Sequence, residues 1–273
     1  MFKSALKIAL VGASFALPFT NVLADGHKKD LDSIIAGDHR SEANIARDQY
    51  RNPKGVIEFF GITPSMKVAE IWPGGRGYFT EILGPYLAHD GLYAPVVSSI
   101  TTTRERTQAD NQTLYSRWAE TPELYGSPLI LDINANDPHL NVEEEFDMIL
   151  TFRNLHNWTG GNYADAFIQS MHKALKSGGR VGVVDHRLDG SPNADKGIWG
   201  GYMTEGLVTE IFERNGFKLV AKSEVNANPK DTKDYNDGVW TLPPSYRLGD
   251  TDRAKYAAIG ESDRMTLLFE KVE

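Results

Sequence analysis

Residues 66–87 read MKVAEIWPGGRGYFTEILGPYL, and this stretch decides the fold. An apolar run at 67–71 leads into Gly74, Gly75 and Gly77, and a second largely apolar segment follows at 78–87. This order predicts a β-strand, a glycine turn and an α-helix. Glycines at such a turn let a ligand approach the backbone closely, and the first N–H groups of the helix are free to bind it. A tight turn with a purely structural role is the alternative interpretation.

The same order of strand, turn and helix recurs along the chain. The predicted strands are 67–71, 91–97, 128–133, 146–152, 180–185, 217–225 and 265–272, and the predicted helices are 78–87, 103–120, 163–175 and 202–215. Short β-rich runs that alternate with amphipathic helices are typical of a mostly parallel sheet covered on both faces. The sequence therefore predicts an α/β fold with a seven-stranded, mostly parallel sheet.

Polar side chains gather where the predicted strands end. Arg153, Asn154 and His156 follow the run at 146–152, and Asp185 and His186 close the run that begins at 180. Ligands of open α/β sheets bind at the carboxyl ends of the strands. His156 could act as a general base, because the ordinary pKa of histidine is about 6.5; the alternative is a hydrogen-bonded loop histidine. We expect one cleft to hold Glu70, Asp132, Arg153, His156 and Asp185.

The clusters at 70–77, 146–156 and 175–185, in this order and spacing, resemble class I S-adenosylmethionine-dependent methyltransferases, which have a Rossmann-like fold. More narrowly, RDQYRNP at 47–53, FFGI at 59–62 and EIWPGG at 70–75 resemble a group of exported bacterial proteins described as predicted methyltransferases. The resemblance extends over nearly the whole chain after residue 24.

The resemblance implies a transferase with S-adenosylmethionine as cofactor, and it assigns roles by position. The amino-acid end of the cofactor would contact Glu70, Gly74, Gly75 and Gly77, the adenine would contact Asp132 and Ile133, and the sulfonium side would contact Arg153 and Asn154. The residues expected to face the methyl acceptor, and so to be catalytic, are His156, Asp185 and His186.

Two departures from the family pattern concern the cofactor cleft. Trp72 and Pro73 stand where the family usually has a glycine and a small residue, and their bulk would narrow the cleft. The second predicted strand ends in Ser98 and Ser99, without the usual carboxylate for the ribose hydroxyls, so that Ser98 offers a weaker contact. A Trp72 side chain that fills the cleft would argue against methyl transfer.

Composition and charge narrow the range of functions. The 273 residues carry a formal net charge of −8, which argues against a nucleic-acid partner. There are no cysteines, which excludes disulfides, thiolate zinc sites and a cysteine nucleophile, and we assign no metal site. The expected partner is a small-molecule acceptor.

The N-terminus predicts export. Residues 1–24 combine Lys3 and Lys7 with a short apolar run and small residues up to Ala24, which indicates a signal peptide and a periplasmic or secreted mature protein. An uncleaved anchor is the alternative, but the run is shorter than the roughly 20 residues of a transmembrane helix. The mature form is expected to have no membrane segment.

The predicted organisation after the signal has two parts. Residues 25–65 form a helical N-terminal extension, with helices at 41–50 and 54–60, and residues 66–273 form the methyltransferase-like domain. Within this domain, 226–258 is a polar loop insertion, which is either a lid or a solvated insertion.

Three functions are compatible with these features. The first is methyl transfer from S-adenosylmethionine to an unknown small acceptor in the periplasm. The second is a non-catalytic periplasmic binding or scaffold protein that kept the methyltransferase fold. The third, a nicotinamide-dependent oxidoreductase, ranks last, because the glycine pattern matches only in part and no acid lies about 20 residues after it.

Overall fold

The computed structural model describes residues 30–188 and 200–273. The predicted signal peptide at 1–24 lies outside the described residues. Among the described residues, no helix combines the length and the apolar character needed to cross a membrane.

The predicted α/β architecture is confirmed. Seven strands run in the order β3-β2-β1-β4-β5-β8-β7, and a short β6 pairs with β5 outside this path. The strands are β1 (Lys67–Ile71), β2 (Leu92–Val97), β3 (Leu131–Asp132), β4 (Phe146–Phe152), β5 (Leu175–Leu188), β6 (Met203–Thr204), β7 (Phe217–Ser223) and β8 (Arg264–Lys271). Strands β1 to β5 pair in parallel, whereas β8 is antiparallel to both β5 and β7.

Helices cover both faces of the sheet, as predicted. They are α1 (Leu31–Ile35), α2 (Glu42–Ile45), α3 (Asp48–Arg51), α4 (Pro53–Phe60), α5 (Thr80–Leu87), α6 (Glu105–Glu120), α7 (Pro122–Tyr125), α8 (Leu155–Gly160), α9 (Ala164–Ala174), α10 (Glu205–Glu213) and α11 (Arg253–Ile259). Successive strand residues face opposite sides, so the sheet has two cores. Ile71 packs with Phe167 and Ile211 on one side, and Val68 packs with Ile57 and Ile82 on the other.

The N-terminal extension is part of this second core. Ile34 of α1 and Val56, Ile57 and Phe60 of α4 are at most 1% exposed. The predicted helix at 41–50 is wrong in one respect, because it divides into α2 and α3 around Arg47. Helix α4 starts as the sequence predicts, with Asn52 accepting a hydrogen bond from the Gly55 N–H group at 3.3 Å.

Two element boundaries differ from the sequence prediction for identifiable reasons. The predicted helix at 163–175 ends at Ala174, but the strand that was predicted from 180 starts already at Leu175, so that Gly178 and Gly179 lie inside β5. Leu175 already pairs with Phe146, and the register shifts before Met148. The predicted helix at 202–215 starts only at Glu205, since Met203 and Thr204 form β6.

The predicted loop insertion at 226–258 is only partly irregular. It contains a 3-10 helix, Gly238–Thr241, and the first residues of α11. Val239 packs on Leu188 and Tyr202 in a small separate cluster, which ties this segment to the end of β5.

Candidate active site

The carboxyl ends of β1 to β5 lie along one edge of the sheet, as the sequence predicts. Ile71 pairs with Val96 on one side and with Thr151 on the other, and Phe152 pairs with Val184. The predicted site residues that follow these strands therefore meet at this edge. Six of them form two groups, three around an open cleft beside β1, β2 and β3 and three in a buried polar cluster beside β4, β5 and β8.

The open cleft has a volume of about 800 Å³. Three predicted cofactor residues, Trp72, Ser98 and Asp132, line it together with Tyr163 and Arg104. The remaining lining residues come from the loops after β2 and β3 and from the first turn of α6, and most have hydroxyl, amide or carboxyl side chains: Ser99, Thr101, Thr102, Thr103, Thr107, Asn134, Asn136 and Asp137, with Ala135.

Trp72 forms a wall of this cleft and does not fill it. Its indole Nε1 donates a hydrogen bond to the carbonyl oxygen of Ile133 at 3.0 Å. The ring meets Trp158 and Phe167 edge-on, with centroid distances of 5.9 and 5.5 Å. Its backbone φ of 52° is left-handed, a conformation that favours glycine. This explains why a glycine would suit this position and why the indole needs several contacts to hold it there.

Asp132 brings a carboxylate next to the end of β2. It pairs with Val97, so that its side chain lies beside the start of the loop that carries Ser98. Asp132 Oδ2 accepts a hydrogen bond from the Ile100 N–H group at 3.3 Å. The end of β2 lacks a carboxylate, and Asp132 supplies one at the end of the neighbouring strand β3. Ile133, predicted beside the adenine, is buried, and its carbonyl holds Trp72.

The glycine turn packs against α6. A Cβ on Gly75 would lie 2.3 Å from Asp110 Oδ1, and a Cβ on Gly77 would lie 2.5 Å from Arg117 Nη1. Gly74 alone has open space around its α-carbon, and its φ is 68°. None of these three glycines lines the open cleft. The packing of α6 therefore accounts for the small size of Gly75 and Gly77, and their contact with a ligand stays a prediction.

Glu70 lies beneath the glycine turn and outside the cleft. It is 2% exposed, and it accepts hydrogen bonds from the Tyr93 hydroxyl at 2.6 Å and from Thr80 Oγ1 at 3.4 Å. Burial raises the pKa of Glu70 to about 7, although these hydrogen bonds and the charge of Arg51 oppose the shift. The expectation that Glu70 shares one cleft with the other acids is wrong, because its side chain points into the second core.

The buried polar cluster joins three predicted catalytic residues. His156 Nδ1 lies 2.9 Å from Asp185 Oδ1, and the His156 N–H group donates to Asp185 Oδ2 at 3.2 Å. The His186 N–H group donates to Asp185 Oδ1 at 2.8 Å, and His186 Nδ1 lies 2.5 Å from Ser262 Oγ. Asp185 is fully buried and orients both histidine backbones. Burial, followed by the charges of His156 and Arg153, lowers the pKa of His186 well below its ordinary value.

The same three side chains form a set that could hold a metal ion. One ligand atom from each of His156, Asp185 and His186 lies within 4.8 Å of the others. The positive charges of Arg153, Arg264 and Arg51 act on this set and oppose a bound cation. These positive charges therefore favour hydrogen bonding between histidine and carboxylate over metal binding.

Arg153 and Asn154, predicted on the sulfonium side, have different surroundings. Asn154 Nδ2 donates to the carbonyl oxygen of Ile71 at 2.9 Å and so ties the end of β4 to the end of β1. Arg153 has a left-handed φ of 61° and extends toward a group of arginines around Glu261. Non-glycine residues in this conformation are strained, and such strain concentrates at functional sites.

Sequence reasoning missed the arginine group. Arg47, Arg51 and Arg264 each contact the Glu261 carboxylate, at 2.6, 3.2 and 3.1 Å. One signal was available in the spacing of Arg47 and Arg51, which places them one helical turn apart. No local pattern links them to Glu261, which is more than 200 residues away in the chain.

Comparison with known proteins identifies the fold. No family model matches the chain, and no curated protein matches its sequence. A SAM-dependent methyltransferase from Aquifex aeolicus is similar over 89% of this chain and 100% of that chain, with a TM-score of 0.52 and 14% identity. A SAM-dependent methyltransferase from Methanosarcina mazei covers 80% of this chain and 97% of its own, with a TM-score of 0.51 and 10% identity.

The [4+2]-cyclase SpnF is also similar, with a TM-score of 0.54 and 16% identity over 89% of this chain and 91% of that chain. The chain therefore has the Rossmann-like fold of S-adenosylmethionine-dependent methyltransferases. Because a cyclase shares it, the fold by itself does not specify the reaction, which depends on the residues of the site.

Proposed function

We propose that the protein is an S-adenosylmethionine-dependent methyltransferase that acts on a small acceptor. The observation that carries this proposal is the cleft of about 800 Å³ beside the ends of β1, β2 and β3, in a chain with the methyltransferase fold. Sites for small molecules have volumes of about 300–1,000 Å³ and combine apolar walls with a few polar groups. The cleft meets the criterion of volume, and Trp72 and Tyr163 give it aromatic walls among lining residues that are otherwise mostly polar.

The lining fits the adenosine part of the cofactor. Trp72 and Tyr163 offer aromatic surfaces for an adenine ring, and stacking of a base on such a ring contributes about 1–3 kcal/mol. Asp132 and Ser98 offer a carboxylate and a hydroxyl for the two ribose hydroxyls. Asp132 therefore replaces the acid that the end of β2 lacks.

The polar cluster supplies a base for the acceptor. When bound, S-adenosylmethionine supplies an electrophilic methyl group on a positively charged sulfur. Asp185 accepts a hydrogen bond from His156 Nδ1–H, which leaves Nε2 as the basic nitrogen and holds the ring in place. His156 then accepts the proton that the acceptor loses when the acceptor's nucleophilic atom takes the methyl group. His186 stays neutral, because its pKa is lowered.

Calorimetric titration tests the proposal. We expect S-adenosylmethionine and its demethylated product to bind the chain that starts at Asp25, and NAD not to bind. Asp132→Asn should weaken cofactor binding about tenfold or more, because it removes a charge-assisted hydrogen bond. The control Asp250→Asn changes the same charge at an exposed position and should leave binding unchanged. Equal affinity in both variants, or no binding to wild type, would refute the assignment of the cleft.

A second candidate, a binding protein that kept the fold, is favoured by Trp72 in place of a glycine. His156→Gln distinguishes it from an enzyme. In an enzyme this variant should bind the cofactor normally while methyl transfer falls by a factor of about 10²–10⁴. Cofactor binding with no methyl transfer by the wild-type protein would favour the second candidate.

We also propose that the protein is exported to the periplasm. The support is the sequence of residues 1–24, with its basic start, apolar run and small residues before the predicted cleavage site. N-terminal sequencing of the protein from a periplasmic extract should begin at Asp25. Recovery of the uncleaved chain in the cytoplasmic fraction would contradict export.

A further inference from the structure

Four arginines surround a single carboxylate next to the His156–Asp185 pair. We call Arg47, Arg51, Arg153 and Arg264 the arginine cluster. Three of them contact Glu261 directly, and Arg153 acts on it through its charge. Burial would raise the pKa of Glu261, but the arginines outweigh burial and lower that pKa to about 2. Glu261 is therefore ionised, and the cluster retains an excess of positive charge.

The other nearby carboxylates do not remove this excess. Asp185 already accepts hydrogen bonds from His156 and from the His186 backbone. Asp48 accepts hydrogen bonds from Arg40 and from the Tyr78 hydroxyl. Burial and the repulsion of its neighbours lower the pKa of Arg153 to about 10, with Glu261 and Asp185 opposing the shift. Uncompensated buried charge of one sign destabilises a protein unless a counter-charge binds.

The cluster also contains donors without acceptors. Arg47 Nη2, Arg51 Nη2, Arg153 Nε and Arg264 Nε are buried and have no hydrogen-bond partner. Arg51 and Arg264 are only 4% and 3% exposed. Within the described part of the chain, no hydrogen bond or ion pair involves the side chain of Arg153. Buried donors are nearly always paired in folded proteins, so several unpaired guanidinium nitrogens at one place point to a missing acceptor.

A small cavity adjoins three of the four arginines. Arg51, Arg153 and Arg264 line it together with Asn226 and with Phe79 and Phe152, whose rings stack at 3.8 Å. Its volume of about 10 Å³ admits one atom the size of a water oxygen. A larger cavity of about 430 Å³ shares Asn226 and Arg264 with it, and this cavity has room for the rest of a small molecule.

We infer that the arginine cluster is a binding site for an oxyanion, a carboxylate or phosphate group whose oxygen enters the small cavity. Guanidinium groups bind carboxylate and phosphate in a planar, two-pronged geometry, which suits them to these two groups. Arg153 is the residue that the bound group recruits, because it is the member without a contact to Glu261. The backbone of Arg153 is in the left-handed conformation, and such strain concentrates at functional sites.

Thermal unfolding and calorimetry of the cofactor-free protein test the site, so the result does not depend on the proposed methyl transfer. Sodium phosphate and sodium acetate are compared with sodium chloride at equal ionic strength and near neutral pH. Phosphate or acetate should raise the melting temperature by several degrees more than chloride and should bind once per chain. Stabilisation by phosphate and not by acetate would indicate a phosphate site, and stabilisation by acetate and not by phosphate would indicate a carboxylate site.

Arg153→Gln separates a ligand-binding role from a structural one. Arg153 makes no hydrogen bond or ion pair in the described chain, and the repulsion by Arg264 and Arg47 opposes the attraction by Glu261 and Asp185. In chloride, therefore, the variant should melt no lower than wild type. In phosphate or acetate it should lose the extra stabilisation, and its affinity should fall about tenfold or more. The control Arg106→Gln removes the same charge from an exposed position and should keep the wild-type response. Equal responses of both variants, or a wild-type response no larger than in chloride, would overturn the inference.

Discussion

Glu70 is a residue whose protonation depends on burial. Its pKa of about 7 lies above the ordinary 4.5, so the folded protein binds a proton that the unfolded chain has released between these two values. Its contribution to folding is therefore most favourable below about pH 4.5 and weakens as the pH rises toward 7. This is the opposite sign from a salt-bridged carboxylate.

The variant Glu70→Gln isolates this effect. It keeps the shape and an oxygen for the Tyr93 hydroxyl but cannot ionise. We expect the free energy of unfolding of wild type, relative to this variant, to fall by up to about 3 kcal/mol between pH 4 and pH 8. Denaturant unfolding of both proteins across this range measures the difference. Parallel stability curves would show that Glu70 does not change its protonation in this interval.

Trp72 is a second residue with a testable role. If it stacks on the adenine, Trp72→Ala should weaken binding of S-adenosylmethionine about tenfold or more and should lower stability by about 2 kcal/mol. Trp72→Phe keeps a ring and should retain most of the affinity while losing the hydrogen bond to Ile133. Tighter binding by the alanine variant in calorimetry would mean that the indole obstructs the cofactor.

The sequence was sufficient to identify which residues follow the strands, but not which way each side chain points. Trp72, Ser98 and Asp132 reach the open cleft, and His156 meets Asp185, as the strand-end rule predicts. Glu70 precedes the end of β1 and faces the second core because side chains alternate along a strand. That orientation depends on α5 and β2, which supply its partners Thr80 and Tyr93.

At the scale of elements, the glycine turn and α6 act together. Gly74 and Gly77 both have left-handed φ values, of 68° and 53°, but only Gly77 is covered by α6. Gly74→Ala should destabilise the protein by about 1 kcal/mol through its backbone alone. Gly77→Ala should destabilise it by several kcal/mol, because the added methyl group also collides with Arg117 and Leu114.

Chemical unfolding of the two variants measures this difference, and calorimetry of the folded variants separates packing from binding. Loss of cofactor affinity in Gly74→Ala with little loss of stability would identify Gly74 as the close contact to the ligand. Equal destabilisation by both substitutions would contradict the packing of α6 on the turn.

Most elements could be predicted because their apolar periodicity is strong, and the exceptions lack it. Helix α8 is six residues long and was not predicted, although it carries His156. The break between α2 and α3 was not predicted either, and the residues beside it, Arg47 and Arg51, pair with Glu261 in a distant segment. Long-range ion pairs leave no periodic signal in a sequence.

At the scale of the molecule, the N-terminal helices belong to the domain they cover. Ile34, Val56, Ile57 and Phe60 are buried in the second core, and each contributes about 1.5–3 kcal/mol. Their sum is comparable to the total stability of a domain, about 5–15 kcal/mol. A chain that starts at Met66 should therefore fail to unfold cooperatively, whereas one that starts at Asp25 should do so. Calorimetric melting of the two chains provides the test, and a cooperative transition in the shorter one would contradict it.

The division of the sheet edge into two sites could not be predicted from sequence. Parallel strand ends were expected to share one cleft, but β8 runs antiparallel and brings Glu261 and Arg264 beside β5. The arginine cluster and the His156–Asp185 pair thus lie on one side, and the open cleft lies on the other. This arrangement suits two ligands, a cofactor and a small molecule with an acidic group.

The most direct test is a crystal structure of the protein with S-adenosylhomocysteine, the demethylated product of S-adenosylmethionine. We expect the adenosine to lie in the open cleft, with its base against Trp72 and its ribose hydroxyls within hydrogen-bond distance of Asp132. S-adenosylhomocysteine bound at another surface, with this cleft unoccupied, would contradict the proposed function.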